Sequence, residues 1–379
     1  MGKHVVDNVP RYFEPYVNDC FTNTYGSVLS YMGYNPRIIL ADYLSFMYDN
    51  ATGLIGANFL YRDLTSVEFK AEELNTSFVF LQLPGTRYYT DEVAECQEGA
   101  EGSIQINMYI HDDSKVAEAR LRTLIHADKP VITVVDLHDM SYHRAYQKDH
   151  GLHAVVITGY DDETQSYTLF DRYELSSGTD FLGTLPMDVI HATRVSNNPL
   201  SNPLLGQYER PIRNLWIEIQ VGSAFNVSED RIVSILNESC RRMLGQQEIL
   251  GQMCGLGRME AFRSDLLLRK EQPLDEKAIY LFRSYYNTSF KTLARSRKRF
   301  RAFIEEIGHV LSQDASARVL ELLEESAKRW DICANLSLKL GISKSLKIID
   351  DLDKHLQVIM ELENEVVECM RTSDSLASL

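Results

Sequence analysis

No run of about 18 apolar residues occurs in the chain, which argues against a membrane-spanning helix. The first 30 residues also lack the basic start, apolar stretch and small-residue cleavage site of a secretory leader. A cytoplasmic protein without a membrane partner is therefore expected. There is no CxxC pair, and the six cysteines (Cys20, Cys96, Cys240, Cys254, Cys333, Cys369) are too scattered for a disulfide framework. In a reducing compartment such cysteines are mostly small buried hydrophobes. No repeat and no low-complexity tract is present. Positive charge is scarce in one half: residues 1–200 carry 14 Lys+Arg against 28 Asp+Glu, whereas residues 201–379 carry 25 against 26. A field of that sign repels nucleic acid and suits a cationic small molecule, although acidity for solubility alone reads the same way.

The length of 379 residues exceeds what one hydrophobic core usually organises, so two domains are expected. Thr22–Met32 reads as a helix stopped by Gly33, and Pro36 opens a second apolar helix. Strand-like runs follow in "SFVFLQL" and "IQINMYI", then the helix "SKVAEARLRTLIHADK" and the strand "PVITVVDLH". "GLHAVVITGYDDETQSYTLFDRY" has two β-branched and aromatic runs around a polar turn, as a β-hairpin requires. "SNNPLSNPLLGQYERPIRN" has the composition of a boundary, with "LWIEIQV" as a last strand of the first domain. From about Ser228 the pattern changes to long 3.6-residue periods, which predict a helical bundle. The expected domains are 1–222 and 223–379.

Cys20 precedes the first helical run, where free backbone amides and the helix dipole favour a thiolate. Nucleophilic catalysis also needs a base, and the base needs a partner that fixes its tautomer. His153 starts one strand of the hairpin and Asp171 ends the other, in a register centred near residue 162 that sets them side by side. A slip of one residue would place them on opposite faces. Cys20 could equally be a packing cysteine and His153 a satisfied core histidine.

"NDCFTNTYGSVLSYMG" together with "HAVVITGYDDETQSYTLFD" resembles the papain-like C39 peptidase fold. The chain resembles more narrowly the butirosin biosynthesis protein H family, whose helical domain carries a pattern matched here by "RKRFRAFIEEIG" and a Trp-bearing helix matched by "ESAKRWDICANL". The resemblance implies an α+β chain: a papain-like, C39-type catalytic domain followed by an all-α domain. It further implies Cys20 as nucleophile, His153 as general base and Asp171 as the residue orienting it. The implied activity is acyl transfer from an acyl carrier protein thioester to an amine acceptor resembling an aminoglycoside or polyamine, as in antibiotic biosynthesis. No cofactor of its own is implied, because phosphopantetheine arrives on the carrier. C39 peptidases usually place a Gln six residues before the Cys, and Glu14 stands there instead. An ionised carboxylate cannot donate to an oxyanion, which leaves Asn18 and the amide of Cys20 as oxyanion-hole candidates.

His138, Asp139, His143, His150 and His153 crowd one polar stretch, but without the usual zinc spacings, so no metal is expected. Tyr142, His143 and Tyr146 are candidates for an acceptor pocket by their nearness to His153. Lys291, Arg295, Lys298 and Arg299 recur at three- and four-residue spacing, as a docking face for an acidic carrier or as an ordinary solvated face. The long C-terminal helices offer a surface for a homodimer. A peptidase, thioesterase or cyclase with the same triad, and a catalytically dead binding protein, remain open alternatives at this level.

Overall fold

The computed structural model describes residues 2–14, 20–40, 43–51, 53–57, 87–90, 102, 104–174, 179–202, 206–249 and 252–371. The predicted strand "SFVFLQL", Asn18 and Cys96 lie outside the described residues. Two compact units are present. The first holds the described residues 2–40 and 87–226, and the second holds those between 43 and 57 together with 227–371.

The first unit is built on one mixed sheet. Its elements are β1 (Lys3–Val5), α1 (Cys20–Tyr31), β2 (Arg87–Thr90), β3 (Ile104–Ile110), α2 (Ser114–His126), β4 (Val131–Asp136), β5 (Leu152–Asp161), β6 (Ser166–Glu174), β7 (Thr179–Pro186), α3 (Met187–Arg194) and β8 (Trp216–Val221). The strand order is β2-β3-β8-β4-β5-β6-β7, with β1 paired to the far end of β5. The predicted boundary segment therefore folds inside this unit: Pro199–Asn202 and Gly206–Glu209 pair as a hairpin, and β8 returns to the middle of the sheet between β3 and β4. Leu121, Leu124 and Ile125 of α2 and Met187 and Ile190 of α3 form one buried cluster with Val135, Val155, Ile157, Tyr167 and Leu169 of the sheet.

Helix α1 ends where the sequence says it should. Gly33 takes φ 86°, its N–H donates to Ser30, and the N–H of Tyr34 donates to Leu29, the paired closure that a left-handed glycine permits. The chain before α1 is tied along its first turns. Tyr12 N–H donates to Ser27 Oγ, Glu14 N–H donates to Asn23 Oδ1, and the Tyr12 ring lies where a Cβ on Gly26 would be. A glycine is required there because any side chain would collide with the ring.

The second unit contains α4 (Glu229–Met243), α5 (Leu256–Leu268), α6 (Glu276–Tyr280), α7 (Asn287–Ile307), α8 (Gln313–Ser343) and α9 (Ile348–Arg371). Between α6 and α7 the helical path passes through a π-helical turn at Leu281–Tyr286. The turn packs against α8. Ser337 Oγ donates to the Phe282 carbonyl at 2.7 Å, and Gly341 leaves room for Arg283, whose backbone nitrogen would sit 2.8 Å from a Cβ there. Residues 43–57 belong to this unit for a similar reason. The Tyr285 hydroxyl bridges the N–H and C=O of Ile55, Arg258 donates to the Tyr48 carbonyl, and Phe46 stacks on Trp330 at 5.8 Å. Among the described residues no helix is long and apolar enough to cross a membrane.

Candidate active site

Cys20 is the first residue of α1, and its side chain is almost covered, with 9% exposure. The N–H groups of a helix's first turn have no intrahelical partners, so a sulfur anion there meets positive backbone dipoles. His153 sits near the start of β5, opposite Val135 of β4, and Asp171 lies in β6. Both side chains are essentially sealed from solvent. His153 Nε2 lies 2.8 Å from Asp171 Oδ2, while the same imidazole is engaged by Cys20 through charge and a hydrogen bond. With Nε2 taken by the carboxylate, Nδ1 is the nitrogen left for the sulfur. The three sequence-predicted residues thus form one connected set.

The hairpin brings them together by a different register from the one expected. Val156 pairs with Phe170 and Ile157 with Leu169, which sets Asp171 beside Val155, one same-face step from His153. The two groups meet diagonally. Between Ile157 and Gly159 the register shifts by one residue. Were the pairing at the turn carried on without that bulge, His153 and Asp171 would fall on opposite faces of the sheet.

The electrostatics follow from this burial. Desolvation alone would push the imidazolium of His153 down, but the charges of Asp171 and Cys20 and the hydrogen bonds to both outweigh it and raise its pKa to about 10. The proton is therefore held on the ring through the neutral range. Burial raises the thiol pKa of Cys240 to about 12 and also raises those of Cys254, Cys333 and Cys369.

The expected pocket residues separate into distinct tasks. Tyr142, an acceptor-pocket candidate, donates its hydroxyl to Asp171 Oδ2 at 2.9 Å and stacks on Phe181 at 4.1 Å. Burial and the neighbouring carboxylate raise its phenol well above the ordinary range. His143 is buried with its ring 5.8 Å from that of His153, and its Nδ1 accepts from the Ala145 N–H. Tyr146 is exposed, and its hydroxyl accepts from Gln147. Glu14 is buried and accepts from Tyr12 at 2.7 Å with Arg37 3.4 Å away, so it acts as an acceptor within the strap before α1.

The crowded histidines likewise resolve into separate partners. His150 Nδ1 meets Asp136 Oδ2 at 2.7 Å, His138 Nδ1 meets Asp139 at 3.0 Å, and the two rings stack 4.2 Å apart. Asp136 also accepts from Ser196, Gly151 and His138, so it ties the loop 137–151 to the end of β4. Among the described residues no three or more His, Cys, Asp or Glu side chains are arranged to hold a metal ion. On α7, Lys298 pairs with Asp331 at 2.7 Å, while Lys291 is exposed.

The fold and these contacts define a class: a mixed α/β domain that offers a helix-start cysteine to a strand histidine backed by a carboxylate. Residues 19–172 match the family model described as butirosin biosynthesis protein H, N-terminal. The match runs from one residue before Cys20 to one residue after Asp171. A comparison with curated proteins finds no match.

Proposed function

We propose that the protein is a biosynthetic enzyme that transfers an acyl group from a carrier-protein thioester through Cys20 to an amine. The observation that carries this reading is the contact of Cys20 with His153, whose other nitrogen is held by Asp171. The family description, butirosin biosynthesis, supports a biosynthetic role.

The chemistry runs in two steps. The Cys20 thiolate attacks the thioester carbonyl, the carbonyl–sulfur bond to phosphopantetheine breaks, and His153 gives its proton to the leaving thiol. One thioester is exchanged for another, so the intermediate is not a deep trap. An amine then attacks the acyl-Cys20 carbonyl, His153 accepts its proton, and an amide forms as the carbon–sulfur bond to Cys20 breaks. The Cys20 amide and Asn18 would stabilise the oxyanion. His143 and Tyr146, on the loop beside His153, are the proposed contacts for the acceptor, and the excess of acidic residues before position 200 favours a cationic one.

The test is incubation with an acyl-carrier thioester, with and without a polyamine. Amide formation supports the transferase. Release of free acid alone in both mixtures would make the protein a hydrolase.

Lys291, Arg295, Lys298 and Arg299 of α7 are the proposed carrier-docking face. Reversing Arg295 and Arg299 to Glu should raise KM for the carrier-bound donor about tenfold, with no change for a small thioester. Equal effects on both donors would remove the docking role.

A further inference from the structure

We propose that Tyr142 and Phe181 form a positioning pair that holds the Asp171 carboxylate and limits how strongly it grips the imidazolium of His153. This inference rests on the reading of Cys20, His153 and Asp171 as the reacting set.

The geometry is specific. Asp171 of β6 is the direct register partner of Phe181 on β7, while His153 approaches from β5 on the other side. The Phe181 ring lies parallel to that of Tyr142, 7° from coplanar and 4.1 Å away. Stacked there, Tyr142 directs its hydroxyl at Asp171 Oδ2, at 2.9 Å, and the same oxygen meets His153 Nε2 at 2.8 Å. Two donors on one oxygen fix the rotation of the carboxylate. They also divide its charge between a neutral phenol and the imidazolium. The Phe181 ring in turn lies over Gly183, where a Cβ would come within 3.1 Å of Cζ.

Tyr142 is thus a positioning residue, since it reaches the thiolate only through Asp171 and His153. The other ionisable groups facing this pair are Cys20 from α1, Arg11 from the N-terminal segment, which feels the charge of Asp171, and His143 from the loop. All three are unchanged by a Tyr142→Phe replacement, which removes one oxygen and keeps the ring stack.

The test is the pH profile of Cys20 alkylation by iodoacetamide, followed by peptide mass spectrometry, in the full-length protein. Tyr142→Phe should leave more of the carboxylate's charge for the imidazolium and move the alkaline step upward by about half a pH unit. Phe181→Leu keeps the hydroxyl but removes its support, and should move the step the same way by less. In an Asp171→Asn background, adding Tyr142→Phe should change nothing, because the phenol acts through the missing carboxylate. An unmoved profile in both single variants, or an equal shift in the Asp171→Asn background, overturns the inference. A wild-type Cys20 that is unreactive at neutral pH overturns the nucleophile reading and this inference with it. A reactive Cys20 with an unmoved Tyr142→Phe profile counts against Tyr142 alone.

Discussion

Cys20 is expected to be alkylated at pH 5 on the order of a hundredfold faster than a free thiol, and His153→Ala should abolish the difference. At that pH an ordinary cysteine with a pKa of about 8.5 is thiolate at only about 3 parts in 10,000. His153, whose proton is held up to about pH 10, keeps a positive charge beside the sulfur across that range. Full ionisation of a thiol at that pH would gain about 3,000-fold, of which lower nucleophilicity would give back about thirtyfold, hence the net figure. As pH rises through about 10 the imidazolium is lost, and with it the positive charge beside the sulfur. The other described cysteines, with thiols raised by burial, should stay unlabelled at pH 5. Acyl transfer should fall by at least about ten thousandfold in Cys20→Ala, and no acylated protein should be seen by intact mass. Cys96→Ala should keep the adduct. An adduct that persists in Cys20→Ala would end the case for this residue.

Much of this site was legible in the sequence because helix starts and hairpins are local. The glycine after "SVLSYM" marks the end of α1, and counting back places Cys20 at its beginning. The hairpin through "YDDETQ" could be centred by composition alone. Its bulge could not, because an extra residue in a ladder leaves no mark that period-2 reasoning detects, and here it decides which face Asp171 occupies. The position of Tyr142 was equally hidden. It lies in a loop between β4 and β5, and only the stack on Phe181, a residue on β7, brings its hydroxyl to Asp171. The assignment of residues 43–57 to the helical unit depends on contacts across more than two hundred residues, such as Tyr285 with Ile55. A local reading has no access to those. The polar segment near residue 200 pairs as a hairpin, and "LWIEIQV", read as a last strand of the first domain, enters the centre of the sheet as β8.

The two helical motifs that resembled the family meet at one buried point, and there the largest loss of stability is expected. Arg297 of "RKRFRAFIEEIG" and Trp330 of "ESAKRWDICANL" both reach Glu363 on α9. Arg297 does so through two bonds of 2.7 Å, Trp330 Nε1 through one of 2.9 Å, and Ser326 adds a third donor at 2.7 Å. Arg297 and Glu363 are both fully buried, and Arg297 also donates to the Ser45 carbonyl. Both charges have left water, so their attraction mainly offsets desolvation, and removing one of them strands the other in an apolar interior. Glu363→Gln should therefore destabilise the helical unit by about 3–5 kcal/mol. Replacing both groups with apolar side chains, Arg297→Met with Glu363→Leu, should cost far less, because neither charge is then left uncompensated. Hydrogen exchange read separately on the two units is the suitable measurement, since a two-unit chain need not unfold in one step. Peptides from α7 and α9 should lose protection in Glu363→Gln while those from β5 and β6 keep theirs. A single variant that loses less than about 1 kcal/mol, or a double variant that is worse than the single, would show that this network is not what holds the three helices together.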